Sequence, residues 1–240
     1  MFFSGLKTSI FHNGEDLFSF FSQEFEKSHQ KIGEKSVVII ASKVVSLSQN
    51  RVVRAEKSEM ENWVKKESEK YWRTAFSNIF LSLKNGILIA NAGIDASNAE
   101  KGELILWPEN VQKFADEFRS KLKSKFKLHE IGVVIIDSRC TPLRTGTTGV
   151  ALAWSGFEGV RDMRGKKDLF ENTLEVTQES IADNLASAAE LIMGNADESI
   201  PFVICENAPV EFTGKQQNPK RGVFSEKEDL FRVLWEGNHD

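Results

Sequence analysis

What most constrains the fold of this chain is the alternation of short β-branched apolar runs with longer amphipathic stretches. Val37-Val38-Ile39-Ile40-Ala41, residues 131–136 and Pro201-Phe202-Val203-Ile204-Cys205 have strand length and read as buried strands. Between them, residues 15–28 carry Leu17, Phe18, Phe20, Phe21 and Phe25 at mostly helical spacing. Residues 110–126 set Val111, Phe114, Phe118 and Leu122 three and four apart against Lys, Glu and Asp. The pattern predicts an α/β chain with mixed sheets, rather than a sandwich or a helical bundle.

Further elements follow from local signals. Arg51-Val52-Val53 predicts a short strand, residues 58–72 a charged surface helix with Met60, Trp63 and Val64 on its apolar side, and residues 86–90 another strand. The longest predicted helix covers 174–193, with Ile181, Leu185, Ala188, Ala189 and Ile192 opposite Asp183, Asn184, Ser187 and Glu190, and Gly194 as its stop. Residues 213–224 are polar and predict a mobile loop, and residues 225–232 begin with a capping-box pattern that predicts a short docked helix. The 240 residues suit one domain, with room for two closely joined lobes.

Charge and cysteine usage narrow the partners. A net charge of -4 supplies no general field for nucleic acid or an anionic membrane, so a bound phosphate needs a local site. Cys140 and Cys205 form no CxxC pair, and the apolar runs are too short to span a bilayer, which predicts a cytoplasmic chain with reduced thiols. The N-terminal apolar residues are interrupted by Lys7, His12 and Glu15, before a signal-peptide core could form.

Oxygen ligands gather at three places: Asp95 with Asn98, Asp137 with Ser138, and Asn195 with Asp197 and Glu198. Each follows a predicted strand or helix, where such residues more often serve turns and caps; together they offer hard donors to Mg²⁺ or Mn²⁺ if the loops converge. Neither Gly-x-x-x-x-Gly-Lys-Ser/Thr nor Gly-x-Gly-x-x-Gly after a strand occurs. Gly146-Thr147-Thr148-Gly149 could offer amides to a phosphate or form a plain turn, and Arg139, Arg144, Arg161 and Arg164 near it could bind anions or be solvated. The four histidines lie apart in polar surroundings with no nucleophile elbow, against a Ser-His-Asp hydrolase. Cys205 reads as a core residue, and Trp63, Trp72 and Trp107 as packing residues.

Several segments, in order, resemble the coenzyme F420:L-glutamate ligase family: Gly5 to Ile10, Ile39-Ile40-Ala41-Ser42-Lys43-Val44-Val45-Ser46, Ala90-Asn91-Ala92-Gly93-Ile94-Asp95-Ala96-Ser97-Asn98 and Leu106-Trp107-Pro108-Glu109. Ile136-Asp137-Ser138, the stretch from Leu174-Glu175-Val176-Thr177-Gln178 to Met193-Gly194, and Glu228-Asp229-Leu230-Phe231-Arg232 continue the match. The pattern departs at Leu47, where the family has Lys, at Asn85-Gly86 for His-Gly, at Asn195 for Gln or Glu, and at Glu206-Asn207 for Arg-Gly.

The resemblance implies a family-specific α/β fold working as an intertwined homodimer. It implies an enzyme that adds L-glutamate to a deazaflavin-type or other carboxylate substrate, with GTP as co-substrate, Mg²⁺ or Mn²⁺ as cofactor and K⁺ as a further candidate cation. Asp95 and Asp137 would be catalytic, and would hold the metal together with Ser138 and Asn195. Ser42, Lys43, Asn98, Met193, Gly194, Asn195, Ala196, Asp197, Glu198, Ser199 and Ile200 would bind the nucleotide. A different class stays open beside the enzyme: a nucleotide- or metal-binding module that keeps the fold without turnover.

Overall fold

Side chains of a strand point alternately to its two faces, so an unbroken apolar run needs cover on both. In the computed structural model, which describes residues 1–223, 225 and 227–232, that cover comes from three helices. The chain begins β1 (Phe2–Leu6), α1 (Leu17–Ser28), β2 (Ser36–Ala41), α2 (Ser42–Ser48), β3 (Val52–Arg54), α3 (Met60–Glu67), β4 (Lys70–Arg73), β5 (Phe80–Lys84), β6 (Ile87–Ala90) and β7 (Glu103–Ile105). It continues through α4 (Val111–Phe126), β8 (Ile131–Cys140), β9 (Thr147–Ser155), β10 (Val160–Asp162), β11 (Gln178–Ser180), α5 (Ile181–Met193) and β12 (Phe202–Glu206). The architecture is mixed α/β with one five-stranded sheet and several small ones.

The large sheet runs β1-β12-β2-β8-β9, with β2 and β8 parallel and the other neighbours antiparallel. One face of it, with Val38, Ile40, Val133, Ile135, Phe202 and Ile204, packs on α1 and α4. The other, with Val37, Ile39, Val134, Ile136, Val203 and Cys205, packs on α5. Phe21 is the hub of the first layer, stacked on Phe25 and edge-on to Phe118 and Phe202. Leu47 also packs on this layer, so the leucine standing in place of the family's lysine is partly buried against the core.

Asp16 caps α1: its Oδ1 accepts from Ser19 N at 2.8 Å, and that bond is the main reason its carboxyl titrates below the ordinary range. Asp16→Ala is expected to lower stability by about 1 kcal/mol, read as a smaller urea midpoint with unchanged slope.

Between α2 and α4 a smaller lobe carries the pair β3-β7, the sheet β4-β5-β6 and helix α3 around a third apolar cluster, including Val64, Phe80, Leu104 and Leu106. Ile89 and Trp107 of that region meet Val150 and Leu152 of β9, joining the lobe to the main sheet.

Two predicted helices are shorter than the sequence suggests. The helix expected over 58–72 stops at Glu67, because Ser68 is extended and Lys70–Arg73 pairs with Phe80–Lys84 as a hairpin. The helix expected over 174–193 begins at Ile181, because Gln178–Ser180 pairs with Val160–Asp162. Its buried positions are Ala182, Leu185, Ala186, Ala189, Glu190 and Met193, a stripe turned from the expected one so that Glu190 is inside. Residues 213–223 lie against Trp154, with Gln217 buried and a single 3-10 turn over Pro219–Gly222. In the closing segment the Ser225 carbonyl accepts from the amides of Glu228 and Asp229, forming one turn; Glu226 and 233–240 lie outside the described residues.

Candidate functional site

The loop carrying Asp95 owes its shape to three successive left-handed residues, Asn91 (φ 52°), Ala92 (φ 54°) and Gly93 (φ 73°). That conformation is unfavourable for Ala92, and it is held by bonds from outside the loop. Asn91 Oδ1 accepts from Phe80 N at 2.8 Å, and Ser82 Oγ accepts from Ala92 N at 2.7 Å. Gly93 lies flat against the Trp107 indole, where a Cβ would come within 2.0 Å of Nε1. Asp95 then pairs its backbone with Ile105, so its carboxyl leaves a fixed point.

Burial works to raise the pKa of Asp95, but the Lys43 ammonium at 2.7 Å and the Ser97 amide at 2.6 Å outweigh it and hold the carboxyl below the ordinary range. Asp137 is the reverse case. Its carboxyl accepts from Trp107 Nε1 and from Ser138 N, and also from Ser42, yet burial, with the nearby Asp95 charge adding to it, pushes its pKa up to about 6. Two carboxyls, one from the loop after β6 and one from β8, therefore sense each other, one paired with a cation and the other not.

Asp137 and Ser138 lie within β8, paired with Val150 and Gly149 of β9, and not in a loop beyond the strand as the sequence suggests. Alternation sends them to different sides. Asp137 meets Trp107, while Ser138 Oγ donates to Glu190 and to Asn195 Oδ1 at 3.2 Å. Thr147 Oγ1 also donates to Glu190, at 3.2 Å. Asn98 Nδ2 donates to the Ala196 carbonyl at 3.1 Å, tying the Asp95 loop to the turn after α5. That turn is fixed to the sheet by Thr8 N on the Ser199 carbonyl and by Ala41 N on the Pro201 carbonyl.

The structure thus brings Ser42, Lys43, Asp95, Asn98, Asp137, Ser138, Asn195 and Ala196 into one connected region. Met193 and Ile200 turn their side chains into or against the second apolar cluster. Asp197, Glu198 and Ser199 are exposed on the turn. Glu198 accepts from Ala196 N at 2.8 Å, which lowers its pKa.

Among the described residues no three His, Cys, Asp or Glu side chains group together at metal-binding distance. Asp95 and Asp137 on the Trp107 side of β8, and the Ser138 hydroxyl and Asn195 amide on its α5 side, are hard oxygen donors, the type that Mg²⁺ or Mn²⁺ takes.

The arginines divide. Arg161 pairs with Glu179 and Arg164 with Asp162 at the β10–β11 hairpin, whereas Arg139 lines a groove beside Trp107. The backbone of residues 147–149 is taken up in the β8–β9 ladder, and Gly149 permits close approach of α5, since a Cβ there would lie 2.4 Å from the Ala186 backbone. The groove has a volume of about 1330 Å³ and is walled by Trp107, Trp154, the start of α4 and residues 216–223.

Sequence reasoning missed two side chains. Trp107 supplies the donor to Asp137 as well as packing. Glu190 is buried beneath Ser138, and a signal was available: an acid in the last turn of a helix opposes the helix dipole, so a local reason must hold it there.

A family model described as F420-0:Gamma-glutamyl ligase matches residues 5–207. The chain is 35% identical over 222 residues to a Coenzyme F420:L-glutamate ligase of Methanococcus maripaludis, covering 85% of this chain and 88% of the relative. It is 31% identical over 239 residues to a protein of the same name from Methanopyrus kandleri, covering 91% and 92%. With that of Archaeoglobus fulgidus it shares 30% identity over 240 residues, covering 93% and 92%. Among the described residues no helix is long and apolar enough to cross a membrane.

Proposed function

Since the chain belongs to the F420-0:gamma-glutamyl ligase family, a family of ligases that join glutamate through an amide bond, we propose that it adds L-glutamate to F420-0 at the expense of GTP. The acceptor carboxylate attacks the γ-phosphorus of GTP, giving an acyl phosphate and GDP. The glutamate amine then attacks the acyl carbon, and the C–O bond to phosphate breaks with release of inorganic phosphate and a proton.

The observation that carries this reading is the meeting of Asp95, from the loop after β6, and Asp137, from β8, within electrostatic reach of each other and with Lys43 paired to Asp95. Asp95 and Asp137 would hold Mg²⁺ or Mn²⁺ from the Trp107 side of β8, with Ser138 and Asn195 as further oxygen donors from its α5 side. Such an ion, when bound, neutralises phosphate charge as phosphoryl transfer proceeds. Lys43 offers a compact positive charge for phosphate oxygens at the edge of the same cluster. Ser42, Asn98 and the backbone of 193–200 line the nucleotide side, and Trp107 fixes the Asp137 carboxyl from the other. Phosphoryl transfer asks mainly for such positioning. A second copy completes the proposed assembly as a homodimer.

Incubation of the full chain with GTP, Mn²⁺, L-glutamate and F420-0 is expected to release phosphate and to add one glutamate mass per phosphate. No release with any carboxylate acceptor would leave a binding module without turnover. GTP with Mn²⁺ together, at about a hundredfold excess over Kd, is expected to stabilise the fold by about 2.7 kcal/mol, read as a higher Tm that neither gives alone.

A further inference from the structure

Four buried side-chain polar atoms among the described residues lack a hydrogen-bond partner, and two of them belong to residues of the groove beside Trp107: Arg139 Nε and Gln112 Oε1. Native proteins leave few such groups unpaired, because each forfeits the hydrogen bonds it made in water. Arg139 is also weakly held. Among the described residues its ion pair, Nη2 to Asp183 Oδ2, is 3.5 Å long, and Asp183 already accepts from Ala151 N at 2.9 Å through its other oxygen.

The two cations of the groove nearest Trp107, Arg51 and Lys84, are engaged. Arg51 commits Nη2 to Glu67 at 2.7 Å, Nη1 to Glu109 at 2.8 Å and Nε to the Trp107 carbonyl at 3.1 Å. Lys84 reaches Glu67 at 2.8 Å. A planar guanidinium with its Nε–H unused and a loose partner on Nη2 can turn so that both donate in parallel, the fork that matches a carboxylate.

Its position selects which carboxylate. Arg139 follows Asp137 by two residues on β8, about 7 Å along the strand, and Trp107 borders both the groove and the Asp137 carboxyl. A ligand in the groove can therefore present an acid group beside the two aspartates while its body lies along the aromatic walls. The volume of about 1330 Å³ far exceeds what glutamate fills, and suits a large, flat acceptor flanked by Trp107 and Trp154.

We infer that Arg139 is the acceptor-specificity residue of this enzyme: it binds the reacting carboxylate of F420-0 through Nε and Nη2, with the remainder of the acceptor in the groove. This rests on the ligase reading above and assigns to it a side chain that no part of the nucleotide or metal cluster uses. Asp183 parks the guanidinium when the groove is empty.

Calorimetric titration of F420-0 into the full chain, with steady-state kinetics alongside, tests it. Arg139→Gln is expected to weaken F420-0 binding by about tenfold or more, and to raise its KM, while the KM values for GTP and glutamate stay within about twofold and Tm is unchanged. Arg139→Lys, which keeps a charge without the fork, should fall between the two. Asp183→Asn, which loosens the parking contact, should bind F420-0 no more weakly than wild type. Wild-type binding by Arg139→Gln, or a loss that appears in the glutamate KM instead, would overturn the assignment even where the wild-type enzyme turns over. Weakened binding by Arg139→Gln in a chain that releases no phosphate would support Arg139 and count against the GTP mechanism alone.

Discussion

Asp137→Asn is expected to remove turnover almost completely and yet leave the metal-free protein at pH 8 as stable as wild type, or more so. The pKa of Asp137 is raised from 3.8 to about 6 by burial, with Asp95 adding to the effect. Between those values the native state holds more protons than the unfolded chain, so its stability falls as the pH climbs through that window. Above about pH 6 the accumulated deficit is roughly 3 kcal/mol. An asparagine never ionises and escapes the deficit. It keeps one acceptor for Trp107 or Ser138 N but not both, which takes back about 1 kcal/mol. The net expectation is a gain of about 1–2 kcal/mol at pH 8. In the proposed mechanism the lost charge would help hold a divalent ion, and a loss of several kcal/mol of transition-state stabilisation corresponds to roughly a thousandfold or more in rate. Urea melts of both proteins from pH 5 to pH 8, with phosphate release at pH 8, check it. Wild-type turnover in the variant, or a wild-type stability that stays flat across this range, would contradict the account.

Gly93→Ala is expected to damage both the fold and the reaction through a residue it does not resemble. Gly93 sits at φ 73°, and an added Cβ would meet the indole nitrogen of Trp107 at 2.0 Å. Trp107 is 2% exposed and its nitrogen is bound to Asp137, so the ring has no free direction in which to yield. The left-handed backbone and the clash together should lower stability by about 2–4 kcal/mol. Whatever shift the indole makes takes its N–H from Asp137, so kcat falls even at temperatures where the variant stays folded. Pairing the change with Trp107→Phe, a smaller ring without the N–H, should restore part of the stability and none of the activity. A stability cycle over the four proteins measures that coupling directly. Simple additivity would mean that glycine and indole are independent, and would refute the proposed link.

Much of this could be read along the chain, because the dominant physics is local. Strands buried on both faces announce themselves as continuous runs, and α1 and α4 as spaced phenylalanines. The hairpin of Lys70–Arg73 with Phe80–Lys84 was hidden because Lys, Glu and Trp near residue 70 suit a helix as well, and only pairing across the turn decides the matter. The same holds for Gln178–Ser180, which Val160–Asp162 draws into an antiparallel pair. At the site, residue types pointed to Asp95 and Asp137, but spacing could not show that Trp107, thirty positions before Asp137, would bind its carboxyl. Nor could it show that Glu190 would turn inward under Ser138, since that depends on how α5 is rotated against β9.

The central strand order has a consequence for biosynthesis. β1 and β2 each lie beside β12, the last strand of the sheet. The pieces that converge on Asp137 are drawn from residue 42 at one extreme to residue 196 at the other. A ribosome delivering the chain from its first residue therefore exposes the opening strands long before their partner exists. Chains cut short by premature termination before residue 196 would lack both the sheet's closure and the Asn98–Ala196 tie.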